Sequence, residues 1–242
     1  MILIWVVILS FIVLVDHIGA LKWHLTFQWI KLWGFYMEII NKLKEISKNY
    51  WYGLPYGSYH HPKLTLEGAT YQQNPKCQRD TKSRFEKIGL TKGGLSGKFV
   101  LDLGCNTGSM LLYARQLGAN EVYGIDNHAP NIYFCKDLFS FVEEENHTFL
   151  VSSADSITLN QFNAEVIFCL AISKWVRDYD HLIRILSESG AELIWFEDNK
   201  HMGKIIEDII PGYDCEFKFF SGPEANTKVG WKRVNYLCRR KK

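Results

Sequence analysis

The run Val100-Leu101-Asp102-Leu103-Gly104-Cys105-Asn106-Thr107-Gly108 leads from an apolar stretch into a glycine-bearing turn, and a helical pattern opens directly behind it. Such a turn lets backbone approach a ligand closely and aims N–H groups at its negative part. Eighteen positions after Gly108, a second apolar stretch ends in Gly124-Ile125-Asp126-Asn127, where the Asp126 carboxylate is placed to accept both hydroxyls of a ribose. A third carboxylate, Asp155 in Ser152-Ser153-Ala154-Asp155, is an acceptor suited to the exocyclic amine of an adenine. Together these residues point to nucleoside binding. On spacing alone the turn is a distant relative of G-x-G-x-x-G, and a plain tight turn is the competing reading. Glu197, Asp198 and His201 stand at or just past another strand end, where open α/β sheets hold their ligands, and are of the types that take up a proton. His128 reads as a neighbour of the same pocket.

These groups need a frame, and the sequence predicts one. Short apolar or β-branched runs at 99–103, 121–125, 148–151, 166–170 and 193–196 alternate with helical patterns at 109–117, 130–141, 179–187 and 200–209. That is the rhythm of a parallel α/β sheet. Two more strands, 215–220 and 234–239, follow without a helix between them, which predicts a terminal antiparallel pair.

Composition fits a folded enzyme-sized chain. Of 242 residues, 47% are hydrophobic and 22% charged, and 28 Lys and Arg against 26 Asp and Glu leave a net charge of +2. No broad positive field marks a nucleic-acid binder. The six cysteines (Cys77, Cys105, Cys135, Cys169, Cys215, Cys238) are dispersed, with no C-x-x-C pair, so the expectation is buried free thiols rather than a disulfide scaffold or structural zinc. His60-His61 lacks a spaced third ligand, and no metal is expected.

The runs at 100–108, 122–126, 153–155 and 164–170 resemble, in order and spacing, the first four motifs of the class I S-adenosylmethionine-dependent methyltransferases, and the resemblance extends over about residues 98–239. It implies a Rossmann-like, doubly wound seven-stranded sheet with S-adenosylmethionine as cofactor. By that resemblance Gly104 and Gly108 shape the turn under the methionine moiety, with Asn106 where the family often has a middle glycine. Asp102 lies near the cofactor's amino group, Asp126 and Asn127 at the ribose, and Ala154 and Asp155 at the adenine. Cys169, in the run similar to the fourth motif, joins the cofactor set by the same resemblance, while its own pattern is that of a buried strand residue. Neither an Asp/Asn-Pro-Pro-aromatic run nor a Pro-Cys nucleophile follows the fourth strand, which argues against methylation of adenine amines and of cytosine C5.

Residues 2–15 are apolar except for Ser10, and residues 22–48 place Trp23, Phe27, Ile30, Trp33, Met37 and Ile40 at helical spacing beside five lysines. Residues 1–21 therefore read as a single-pass membrane anchor and 22–48 as an amphipathic interfacial helix. The lysines follow the apolar run, which places the remainder in the cytosol by the positive-inside rule. A signal peptide and a packed core helix are the competing readings. Residues 49–97, rich in aromatics, read as a cap over the cleft, with Arg79 or Arg84 available to an anion, and residues 98–242 as the methyltransferase domain.

The expectation is a membrane-anchored methyltransferase acting on a small-molecule, lipid or glycan-precursor acceptor. Asn74-Pro75-x-Cys77, Asp102 to Asn106 and Cys169-Leu170 through Val176 also resemble Bin3-type RNA methyltransferases, although Glu197-Asp198-Asn199 replaces that family's proline-rich continuation. RNA is therefore the alternative acceptor. A non-catalytic cofactor-binding module and a nicotinamide-dependent oxidoreductase are the other classes; the latter would show a fuller G-x-G-x-x-G turn.

Overall fold

A computed structural model describes residues 64–66, 69–71, 81–201, 203–221 and 232–242. The anchor, the interfacial helix and most of the cap expected from the sequence lie outside these residues. Among the described residues no helix is long and apolar enough to cross a membrane.

The described chain begins with a small antiparallel hairpin, β1 (Leu64–Leu66) and β2 (Ala69–Tyr71), followed by α1 (Thr81–Ile88). The main sheet is built from β3 (Phe99–Leu103), β4 (Glu121–Asp126), β5 (His147–Val151), β6 (Val166–Leu170), β7 (Leu193–Asp198), β8 (Tyr213–Ser221) and β9 (Arg233–Arg240). The helices between them are α2 (Ser109–Gln116), α3 (Ala129–Phe141) and α4 (Tyr179–Ser187). Strand order across the sheet is β5-β4-β3-β6-β7-β9-β8, parallel as far as β7 and antiparallel at β9 and β8. The final strand thus inserts between β7 and β8. The chain steps outward from β3 to β5 and then returns to β6 on the other side, so a crevice opens beyond the ends of β3 and β6. Ligands of open α/β sheets bind at such a reversal.

Strand alternation divides the core between the two faces of the sheet. Leu101, Leu103, Ile167, Cys169, Ile194 and Phe196 share one buried cluster with Leu182, Ile185 and Leu186, the apolar stripe of α4. On the other face Phe85 of α1 meets the rings of Tyr113, Phe168 and Trp195 at 5.0, 5.6 and 5.2 Å. Local signals set the helix starts: Asp178 caps α4 by accepting from His181 N at 3.0 Å, and Pro130 stands in the first turn of α3.

Two expectations are corrected. The described residues of 200–209, a stretch whose apolar spacing is helical, form turns, bends and irregular backbone instead. Gly203 and Asp208 adopt φ of 77° and 49°, values a helix does not contain, and Ile206 N donates to the Tyr236 hydroxyl at 2.8 Å rather than to a helical carbonyl. Second, Cys215 and Cys238 are not free thiols. They face each other across the β8–β9 ladder and form a disulfide, while Cys105, Cys135 and Cys169 are free and buried. Closing a loop of sequence separation 23 restricts the unfolded chain. Reduction of this bond is expected to cost roughly 3 kcal/mol and to lower the unfolding midpoint by about 5–10 °C, read by calorimetry with and without reductant.

Candidate active site

A cavity of about 380 Å³ opens at the β3/β6 crevice, and its walls come from the ends of β3, β4, β6 and β7, the loop after β5, and residues of α1, α2, α3 and β9. Its floor is the turn after β3. Gly104 and Gly108 hold φ of 81° and 73°, and Asn106 between them holds φ 50°. Asparagine is one of the few side chains that tolerates this left-handed region, so replacing the family's middle glycine leaves the turn intact. A Cβ on Gly104 would overlap Ile172 Cγ2, a stiff β-branched group across the crevice. Gly104→Ala is therefore expected to cost about 2 kcal/mol or more from the backbone conformation alone, seen as a lower unfolding midpoint.

Asp126 organises this floor. Its Oδ2 accepts from Asn106 N at 2.9 Å, and its Oδ1 accepts from His128 N at 2.8 Å and from Asn131 Nδ2 at 3.1 Å. One carboxylate thereby ties the turn after β3 to the start of α3. Asp155 accepts at Oδ1 from Arg177 N at 2.9 Å, which joins the loop after β5 to the loop after β6.

Asp102 lies on the β3 face that looks toward Arg84 and is 2% exposed. Burial pushes its carboxyl up to about 8, partly offset by the Arg84 guanidinium and reinforced by Asp126. Its Oδ1 has no hydrogen-bond partner, and neither do Asn106 Oδ1, Asn131 Oδ1 and His128 Nδ1 nearby. Buried polar atoms are normally satisfied, so this set facing one cavity fits a polar ligand that supplies the missing partners.

Beyond Asp102 is a cluster of charge. Glu197, 3% exposed at its side chain, accepts from Arg84 Nη2 at 2.5 Å and from Ser221 Oγ at 2.5 Å, and lies 3.5 Å from Arg233 Nη1. Arg84 also lies over the Trp195 ring, 5.3 Å from its centroid.

Of the residues named from the sequence, Asp102, Gly104, Asn106, Asp126, Asn127, Ala154, Asp155 and Glu197 line the cavity, as does His128. Gly108, Cys169, Asp198 and His201 do not line it. Gly108 packs against Cys135 and Phe139 beneath the floor, and Cys169 is wholly buried, its thiol pushed well up by that burial. Asp198 and His201 are directed elsewhere by strand alternation: β7 extends through both carboxylates, so Glu197 falls on the face of Trp195 and Asp198 on the face of Phe196. There Asp198 accepts from Ser173 Oγ at 2.7 Å and from Lys200 N at 2.9 Å, and its Oδ2 lies 2.9 Å from His201 Nδ1. These contacts fix the loops after β6 and β7. Sequence reasoning missed Met110, Asn131 and Arg233 as cavity residues. Arg233 had a usable signal: it begins an antiparallel strand, and such a strand starts at the end of the sheet where its parallel neighbours finish.

A strand, a glycine turn with left-handed backbone, a carboxylate bridging that turn to the next helix and a third carboxylate opposite meet at one cavity on a seven-stranded sheet with an inserted last strand. Residues 100–190 match the family described as a methyltransferase domain. No curated protein matches the chain. Among solved structures, WbdD, a bifunctional kinase-methyltransferase, aligns with a TM-score of 0.55 at 18% identity over 67% of this chain and 40% of its own. The magnesium protoporphyrin IX methyltransferase of Synechocystis PCC 6803, with bound SAH, aligns with a TM-score of 0.53 at 15% identity over 66% and 82%. A putative methyltransferase from Escherichia coli aligns with a TM-score of 0.49 at 16% identity over 69% and 87%. The family match covers residues 100–190, and the likeness to these solved structures is one of fold.

S-adenosylmethionine, the cofactor implied by the sequence resemblance, would supply a methyl group already activated on a sulfonium centre, which would leave the protein chiefly alignment and exclusion of water. Asp102, with its unpartnered oxygen, suits an ammonium group. Asp126 and Asn127 suit ribose hydroxyls, and Ser153 to Asp155 an adenine edge. Ile172 and Val176 on the loop after β6, with Leu170 at the strand's end, supply an apolar wall.

Proposed function

We propose that the chain is a membrane-anchored methyltransferase that transfers a methyl group to a small-molecule, lipid or glycan-precursor acceptor. The observation that carries the membrane part is the apolar run at residues 2–15 followed by aromatics and five lysines. The acceptor part is supported by the cavity, whose β6 side offers Leu170, Ala171, Ile172, Trp175 and Val176 beside the charged Arg84, Glu197 and Arg233. That lining suits a compact, partly apolar acceptor. Among the three base candidates Glu197 alone faces this space, and it serves to hold Arg84 and Arg233 rather than to take up a proton.

The positive-inside pattern favours a cytosolic domain. The Cys215–Cys238 disulfide favours the opposite face, since such bonds persist in oxidising compartments. Protease protection of the domain in sealed vesicles distinguishes the two orientations.

The test incubates the full chain with methyl-labelled S-adenosylmethionine and either a membrane extract or total RNA. Label entering the lipid or small-molecule fraction supports the reading, and label entering RNA alone replaces it with the RNA alternative. Deletion of residues 1–21 is expected to release the protein from membranes; persistent association would move the anchor to residues 22–48.

A further inference from the structure

Among the described residues the Arg84–Glu197–Arg233 cluster holds two guanidiniums against one carboxylate in a place where charge is costly. Both guanidiniums are 13% exposed at the side chain, and they share one carboxylate. Buried cations are retained when paired, because desolvation otherwise outweighs what they gain. Asp102 does not restore the balance: burial raises its carboxyl to about 8, so it is largely protonated at neutral pH. Before any ligand binds, this cluster is therefore net positive among the described residues.

The two arginines are not equivalent. Arg84 is held by Glu197 Oε2 at 2.5 Å, by Met110 Sδ at 3.7 Å and by the Trp195 ring, and it acts on Asp102, the cofactor side of the cavity. A carboxylate of the cofactor would fall to Arg84. Arg233 stands on the other side of Glu197, at the start of β9, with a looser 3.5 Å approach to Oε1. Its fork has five N–H donors, and this ion pair engages one nitrogen. Ser221 Oγ, bonded to both Glu197 and Asn235, fixes the carboxylate's position so that Arg233 keeps its direction.

We propose that Arg233, held against Glu197 at the β7–β9 end of the cavity, is the anion-reading residue of the acceptor site, and that the acceptor carries a carboxylate or phosphate group. This rests on the methyltransferase reading. It narrows the acceptor class to oxyanion-bearing molecules, for which a planar guanidinium is the matching donor.

The test titrates sodium phosphate, and separately sodium acetate, into the full chain saturated with S-adenosylhomocysteine, at ionic strength held constant with chloride. Saturable binding of at least one is expected, weakened about tenfold or more by Arg233→Gln and partly kept by Arg233→Lys, with S-adenosylhomocysteine affinity changed less than about twofold. Binding of phosphate alone marks a phosphorylated acceptor, and of acetate alone a carboxylic one. No binding of either ion, or binding indifferent to Arg233→Gln, overturns the proposal while leaving the methyltransferase reading intact. Failure to bind S-adenosylhomocysteine at all removes that reading and the proposal with it.

Discussion

Asp126→Ala is expected to weaken S-adenosylhomocysteine binding by at least about tenfold, or roughly 1.4 kcal/mol. Two losses combine. The side chain assigned to the ribose hydroxyls disappears, and so do three internal hydrogen bonds, to Asn106 N, His128 N and Asn131 Nδ2, that hold the turn after β3 against α3. Asp126→Asn separates these contributions. It keeps the shape and one acceptor oxygen but turns an amide NH2 toward either the Asn106 N–H or the His128 N–H, a donor facing a donor, so it should bind almost as poorly as alanine. Calorimetric affinities unchanged from wild type in both variants would remove Asp126 from the cofactor site.

Asp102→Asn is expected to move stability and affinity in opposite directions. An ordinary aspartate titrates near ~3.9, whereas burial raises folded Asp102 to about 8. Between those values the folded protein holds a proton that the unfolded chain has released. Stability from this group is therefore full below the lower value and is lost as pH rises through the upper one. Asparagine is neutral throughout, so the variant's unfolding midpoint should exceed that of wild type by several degrees at pH above about 8, with the difference shrinking toward pH 4. Affinity should fall about tenfold or more, because Asp102 can give up its proton to become the counter-ion of the cofactor's ammonium, whereas an amide stays neutral. A variant no more stable at high pH would contradict the burial argument. A variant that binds S-adenosylhomocysteine as wild type does would contradict the role.

The central sheet was legible because its strands are buried on both faces and read as unbroken apolar runs: β3, β6 and α4 have the bounds the pattern predicts. Three later features were harder to read. The segment 200–209 has helical apolar spacing, but its glycine, a left-handed Asp208 and the Tyr236 hydroxyl beneath it make turns; only the last is a tertiary contact invisible in sequence. Glu197 and Asp198 were placed together at a strand end because strand β7 was expected to end at residue 196. Two more residues of strand send adjacent carboxylates to opposite faces, one into the cavity and one into the loop scaffold. The pairing of Cys215 with Cys238 depends on the β8–β9 register, which spacing alone does not contain. Arg233 illustrates the general difficulty: it is far from every motif in sequence and joins the site because β9 runs antiparallel to β7.

The most direct test of the account is calorimetric titration of the full chain with S-adenosylmethionine, S-adenosylhomocysteine and NAD. The site described here predicts micromolar binding of the first two and none of NAD. Binding of NAD alone would make the cavity a nicotinamide site, and binding of none of the three would contradict the assignment of Asp102, Asp126 and Asp155 to a nucleoside cofactor.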